Sequence, residues 1–409
     1  MSKVGIIVQR YGLEVNGGAE HHSRILAERL NKRHDVTILT TKALDYISWD
    51  NHYKNNEEEI NGVLVKRFKT NYCRNEKKTG KLKGTILKQR KYQRFLNNFF
   101  LIRKLDEKFS ILGPTKRQSE QWLNYQGPYC PDLVDYLKIN KDKYDCFIFF
   151  TYLYYPSAQG LKVVKNKSIF IPTAHDEPEF YAKTYIEVFE SAKFIMYNTI
   201  SEKKLIENTF KNITKFSDIA GVGVEPCELV ASDEIIYDFF LYIGRVDLAK
   251  GCSDLYDQFV EYKKQYPSDV KLVFVGKNHT DLKGREDIVF TGFVDEDYKN
   301  SLLLNSKALI MPSKYESLSM VTLEAMNNGK IVVVNGACEV LKDHIEKSGS
   351  GFCYDSDTEL CNKLNSILEM PESEQKLHAK NAQKYVLNNY TWDKIINKFD
   401  KAIDFIQKQ

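Results

Sequence analysis

The chain has 409 residues, 43% apolar, 28% charged and 12% aromatic, with a net charge of only +4. That length suits two domains with sizeable cores, and the composition excludes disordered and collagen-like classes. No apolar run approaches the roughly 18 residues that cross a bilayer, and the eight scattered cysteines form no CxxC or His/Cys cluster, so no membrane span, zinc site or disulfide framework is expected.

The start, Met1-Ser2-Lys3-Val4-Gly5-Ile6-Ile7-Val8, is too short and strand-like for a signal peptide, so the expected location is cytoplasmic. Residues 4–8 predict a strand covered on both faces. A helix over about 19–31 follows, with Ile25, Leu26 and Leu30 on one stripe, and then a strand over 36–39. That βαβ order implies a parallel α/β sheet. A further strand spans 63–68. Residues 74–117 then carry 14 Lys and Arg against three acids, a local balance of +11 that leaves −7 for the rest. Within this stretch Phe95, Leu96, Phe99, Phe100, Ile102, Leu105 and Phe109 recur at helical spacing among basic residues. Two readings stand side by side for this insert of about 72–125. Its 77–108 segment rests on an anionic membrane surface, making the protein peripheral at the inner face of the membrane, or it is a helical excursion packed on its own domain. Nucleic acid is not an expected partner.

Alternation resumes with a helix at 131–139, a strand at 145–150, a helix at 156–165, strands at 168–172 and 193–197, and a helix opening at Ser201-Glu202. A break falls near 225–236. A second series begins with the strand 239–244; strands at 271–275, 288–291, 307–311 and 331–334 alternate with helices at 251–265, 295–305, 319–328 and 338–345. Residues 373–409 read as helical apart from a turn near Asn388-Asn389, and Trp392, Ile395, Ile396, Phe399, Ile403 and Ile406 form a stripe that needs an apolar surface. The expected organisation is two Rossmann-like domains, 1–230 and 231–388, followed by a terminal helix over 389–409.

The segments that follow strands carry the chemistry. Gly12-Leu13-Glu14-Val15-Asn16-Gly17-Gly18-Ala19-Glu20 has adjacent glycines that permit close backbone approach. It is not G-x-G-x-x-G, and no G-x-x-x-x-G-K-[ST] occurs, so neither a dinucleotide fingerprint nor a P-loop is supported. Pro172-Thr173-Ala174-His175-Asp176-Glu177-Pro178 sets a histidine beside two acids, either as a structural group or at a ligand. Gly221-Val222-Gly223-Val224-Glu225 reads as a hinge or a backbone ligand to phosphate. Gly244-Arg245-Val246-Asp247-Leu248-Ala249-Lys250-Gly251 turns at Gly244 and presents a planar donor fork and a point charge. Alone, it is equally a surface loop with two solvated cations. In the run 312–326, Glu316 lies in a strand-to-helix loop and Glu324 inside the helix, with Ser317 and Ser319 as candidate N-caps. A phosphate joined to polyhydroxylated groups suits such a place: N–H groups for the phosphate, carboxylates for the hydroxyls. Asp295-x-Asp297 and Asp355-x-Asp357 match a short metal–nucleotide pattern but read as acids at helix starts, so no metal site is expected.

Together these motifs resemble the family 4 retaining glycosyltransferases of GT-B fold (glycosyl transferases group 1). The matching residues are Gly17-Gly18-Ala19-Glu20, His175-Asp176, Gly223-Val224-Glu225, Gly244-Arg245 with Lys250-Gly251, Val275-Gly276, Gly292-Phe293, and Glu316-x7-Glu324 with Ala325-Met326. The basic insert departs from the common pattern. The resemblance implies two Rossmann-like domains facing across a cleft, with the C-terminal helix crossing back to the first. It implies transfer of a hexose-type sugar from a UDP-, GDP- or dTDP-sugar to a glycan, lipid-linked or protein-linked acceptor in polysaccharide or glycoconjugate biosynthesis. Anomeric configuration is retained, and neither a metal nor a further cofactor is required. By the same resemblance Arg245 and Lys250 hold the diphosphate, helped by backbone N–H groups near Leu318 and Ser319. Glu324 accepts from the ribose and Glu316 faces the transferred sugar. Gly276 and Phe293 border the base, Gly223 and Gly244 belong to the donor site, and Gly17 and Gly18 approach the phosphates or sugar. His175 touches the sugar near the reaction centre. The rival readings are a nucleotide-sugar epimerase of the same fold and a non-catalytic module that binds sugar nucleotides or glycans.

Overall fold

Two runs of buried aliphatic and aromatic strands dominate the computed structural model, which describes residues 1–15, 17–72, 74, 77, 79–81, 83, 84, 115–225 and 237–408. They build two units, Met1–Gly221 with Ile396–Gln409, and Val222–Ile395.

The first unit holds β1 (Lys3–Ile7), β2 (Asp35–Thr41), β3 (Glu57–Ile60), β4 (Val63–Phe68), β5 (Cys146–Phe150), β6 (Ser168–Ile171), β7 (Phe194–Tyr197) and β8 (Ser217–Ile219) in one sheet of order β3-β4-β2-β1-β5-β6-β7-β8. All neighbours are parallel except β3 on β4. The chain moves outward from β1 on one side and from β5 on the other, so the strand order reverses between them. Ile6, Ile7, Phe147 and Phe149 are fully buried there, as expected for strands covered on both faces. The sequence Glu57-Glu58-Glu59-Ile60 hides β3 from apolar patterning because it is an edge strand. Its charges blunt the open edge, and Glu57 and Glu58 pair with Lys66 at 2.5 Å and Arg67 at 2.6 Å on β4.

The second unit holds β9 (Phe239–Ile243), β10 (Lys271–Val275), β11 (Ile288–Gly292), β12 (Ala308–Met311), β13 (Ile331–Asn335) and β14 (Phe352–Tyr354), all parallel, in the order β11-β10-β9-β12-β13-β14. Here the order reverses between β9 and β12. The paired parallel sheets are the α/β architecture anticipated above. Sequence patterning missed the short strands β8 and β14 and the helix Thr184–Ser191, and read only the acidic start of the helix Asp357–Leu368.

The end of the 72–125 span is core structure. Helix Lys116–Gln126 starts at a Thr115/Gln118 capping box and buries Trp122 and Leu123. Of the basic segment 77–108 only residues 77, 79–81, 83 and 84 are described, with Lys83 paired to Glu179. The aromatic stripe from Phe95 to Phe109 lies outside the described residues. Among the described residues no helix is long and apolar enough to cross a membrane.

The last helix, Trp392–Gln407, begins in the second unit, where Trp392 packs against Gly223 and the Val224 N–H donates to the Tyr390 carbonyl at 2.9 Å. From Ile396 on it belongs to the first unit. There Asp400 accepts from Arg33 at 2.6 Å and pairs with His34 at 3.0 Å, and Phe405 packs on Phe216 and Phe194.

Each unit buries a neutral histidine. Burial lowers His22 to about 3 and His344 to about 4, and the Nε2 of His22 has no hydrogen-bond partner among the described residues. Unfolded histidine titrates near 6.5. Between these values the unfolded chain binds protons that the folded one does not. Stability is therefore full above pH 6.5 and falls as pH drops toward 4, by on the order of 3 kcal/mol for a shift of the size at His344. Urea denaturation from pH 7.5 to 4.5 should show this loss, and His22→Leu should flatten its slope; an unchanged slope would assign it to other groups.

Candidate functional site

Apart from Gly223 and the helical Glu324, the candidate residues of the second unit come from loops at the carboxyl ends of β9, β10, β11 and β12, where α/β sheets bind ligands. Arg245 and Lys250 follow β9, and Glu316 follows β12. These are the two strands between which the order reverses. The Lys250 Nζ lies 2.7 Å from Glu316 Oε1, joining the two loops across the switch point, with the carboxylate 13% and the amine 29% exposed. Arg245 Nε lies 3.2 Å from Asp247. Asp247 also accepts the Lys250 N–H at 2.9 Å, so one carboxylate fixes the loop that carries both cations. Tyr242 donates to the Arg245 carbonyl at 2.7 Å from inside the core.

The seat of these loops is tight. A Cβ on Gly251 would stand 2.7 Å from the Pro312 carbonyl oxygen, and a Cβ on Gly276 would stand 2.0 Å from that of Gly244. Gly276 also holds φ 132°, which only glycine adopts readily. Asn335 at the end of β13 donates to the Pro312 carbonyl at 3.1 Å. The backbone at Gly244, Gly251, Gly276 and Pro312 therefore forms one close-packed platform. Phe293, beyond β11, is 72% exposed.

Glu324 lies in the helix Met320–Asn327 and pairs with Lys299 at 3.2 Å. Burial opposes the Lys299 charge, yet Glu324 and Glu296 together raise its pKa. Ser319 sits at the helix start, but its side chain makes no cap. Its hydroxyl meets Thr322 Oγ1 at 2.8 Å, and its φ of 62° is left-handed. For a residue with a Cβ that costs on the order of 1 kcal/mol, so neighbouring contacts must hold it. Ser317 is not a cap either, because the helix begins beyond it.

The first unit carries Gly17, Gly18 and His175. Gly17 precedes the helix Gly18–Leu30, and a Cβ there would lie 2.2 Å from Glu20 Oε2. The missing side chain leaves room for Glu20 to fold back onto Arg10 in a buried pair at 2.5 Å. Gly18 faces open space. His175 follows β6, and its Nε2 lies 3.4 Å from Glu177. Burial would raise Glu177, but His175 and Tyr152 outweigh it and the pKa is lowered. Behind this loop the buried Glu202 accepts the N–H groups of Ala174 and Asn198, each at 2.6 Å; burial pushes it up to about 7. Gly223 belongs to the second unit, where a Cβ would meet the Trp392 ring at 2.4 Å.

Sequence reading missed Asp247, Lys299, Glu177 and Glu202 as supports. Asp247 stands inside a quoted motif and is visible as Asp-x-x-Lys at a turn. Lys299 is paired only through the fold. Asp295 caps the helix Glu296–Asn305 and Asp357 opens the helix Asp357–Leu368, so both D-x-D matches lie at helix starts.

Residues 236–385 match the family model described as Glycosyl transferases group 1. Over 96% of its length the chain is 22% identical to 95% of an uncharacterized glycosyltransferase of Methanocaldococcus jannaschii. Among solved structures it is similar to a sucrose-phosphate synthase from Thermosynechococcus elongatus, with a TM-score of 0.68, 15% identity and 99% of both chains covered. It is also similar to HepE of Anabaena in complex with UDP and glucose, with a TM-score of 0.64, 16% identity, and 99% of this chain and 100% of that one covered. The fold is GT-B, and these matches support a glycosyltransferase.

The platform makes a sharp prediction. Gly276→Ala must displace the Gly244 backbone and should cost ~3 kcal/mol or more. Chemical denaturation of the variant is the check, and a loss below ~1 kcal/mol would mean that the two loops separate freely.

Proposed function

We propose that the protein is a family 4 retaining glycosyltransferase. It moves a hexose-type sugar from a nucleoside-diphosphate sugar to a glycan, lipid-linked or protein-linked acceptor. The observation that carries this reading is the Lys250–Glu316 pair across the β9/β12 switch point, with Arg245 on the same loop. Two cations beside a carboxylate suit a diphosphate bonded to a sugar. Lys250 and Arg245 take the phosphate oxygens, and Glu316 accepts from a sugar hydroxyl. Before the donor arrives, the carboxylate holds Lys250 in place.

Cleavage of the bond from anomeric carbon to phosphate oxygen leaves positive character on the sugar and negative charge on the diphosphate. Arg245 and Lys250 stabilise that leaving group electrostatically, and a lost donor of this kind costs about 10²–10³ in rate. The acceptor hydroxyl attacks from the face the diphosphate leaves, and a departing phosphate oxygen takes its proton. Glu324 serves the ribose hydroxyls, held in place by Lys299. Gly244, Gly276 and Phe293 border the nucleotide, and His175, Gly17 and Gly18 serve the sugar and phosphates. The resident groups supply the positive charge, so activity should survive EDTA.

The test begins with thermal shift and calorimetry on UDP-, GDP- and dTDP-sugars, followed by transfer assays with the one that binds. Glu324→Gln should mainly weaken donor binding. Glu316→Gln should mainly slow transfer, and Lys250→Ala should lower kcat/KM by about 10²-fold or more. If both glutamate variants showed only weaker binding, the division of roles would be wrong. Binding of none of these donors would overturn the assignment. Product NMR should show the donor's anomeric configuration retained, and an inverted product would remove the family 4 reading.

A further inference from the structure

His344 lies on the helix Glu339–Ser348, behind the loop that carries Glu316. Its ring is 2% exposed and makes two directed contacts. Nε2 lies 2.9 Å from the Leu318 carbonyl oxygen, and Nδ1 lies 3.0 Å from the Tyr385 hydroxyl. A carbonyl only accepts, so Nε2 carries the proton and donates. In the neutral ring Nδ1 then accepts, and Tyr385 donates to it. The Tyr390 hydroxyl stands 3.3 Å beyond Tyr385 and completes the row. Burial keeps the ring neutral, with its pKa lowered to about 4, although Asp343 works against that shift.

The peptide from Leu318 to Ser319 is trans. In a trans peptide the C=O and the N–H point in opposite directions. The ring that holds the Leu318 carbonyl therefore leaves the Ser319 N–H pointing away from His344. The same contact steadies the left-handed backbone of Ser319, which has no side-chain cap to do so.

We propose that His344 is a positioning residue for donor binding: it anchors the Leu318 carbonyl so that the Ser319 N–H is aimed at the donor's diphosphate. This rests on the sugar-nucleotide reading given above. The histidine touches no substrate; it sets the orientation of one peptide before the ligand arrives, which removes the cost of turning it on binding. A purely structural histidine would affect all ligands of the site alike, whereas an N–H aimed at phosphate matters only to ligands that carry one.

The experiment uses the full-length chain. UDP, GDP and dTDP are titrated calorimetrically, and the one that binds is compared with its own nucleoside, measured by ligand-observed NMR. His344→Phe keeps a buried ring and removes both nitrogens. It should weaken diphosphate binding about tenfold and leave nucleoside binding within about twofold. His344→Gln returns an amide N–H to the Leu318 carbonyl and should restore most of the loss. Tyr385→Phe, which leaves the ring in place without its outer partner, should show a smaller loss of the same kind and serves if His344→Phe does not fold. A folded His344→Phe that binds the diphosphate as the parent does would overturn the role of His344 alone, leaving the donor reading intact. Equal losses for diphosphate and nucleoside would do the same. A parent protein that binds none of the three diphosphates would overturn both.

Discussion

The ion pair between Lys250 and Glu316 is the constraint around which the second unit is arranged. As a stabilising contact it is minor, since taking two charges out of water offsets much of their attraction. Its importance is positional. The two residues are far apart in sequence, yet they meet because β9 and β12 are sheet neighbours whose chains leave in opposite directions. Everything nearby protects that meeting. Gly251 lets one loop lie on the Pro312 carbonyl, Asn335 ties that carbonyl from the other side, and Asp247 holds the turn that presents the lysine. A site built this way has its charges in place before a ligand arrives, which is what electrostatic stabilisation of a leaving group requires.

The first unit uses the same topology with opposite charge logic. Its switch-point loop does not leave a cation poised at the surface. It buries Arg10 against Glu20, and Gly17 is small so that the carboxylate can turn inward. The glycine pair thus divides its duties: Gly17 serves the protein's own ion pair, and Gly18 leaves the loop open on its outer side. The histidine loop follows a related plan, with Glu202 gathering backbone N–H groups beneath it and Glu177 holding the ring.

Much of this was legible from the chain, for reasons that can be named. Strands covered on both faces are unbroken apolar runs, so β1, β5, β9 and β12 could be read directly, and the residues just after them had to be the loops at the sheet's carboxyl edge. The strand–loop–helix order around Glu316 and Glu324 therefore separated the two carboxylates correctly. The short strands β8 and β14 escaped because three residues carry no usable period. The helix Asp357–Leu368 was readable: Ser356 and Glu359 form a start signal, and Leu360, Cys361, Leu364 and Ile367 form its buried stripe. The left-handed turn at Ser319 gave no warning, because serine at a helix start ordinarily signals a side-chain cap. Nor could spacing join Lys299 to Glu324 or His344 to Leu318, since those contacts exist only once helices from different parts of the unit are stacked.

The last helix has a consequence for how the protein is made. It supplies Ile396, Phe399, Ile403 and Ile406 to the interior of a unit whose other residues end at Gly221. On the ribosome, the second unit is therefore complete before the first has its final piece. Phe194 and Phe216 stay without their cover until Phe405 emerges, a period when bare apolar surface invites aggregation.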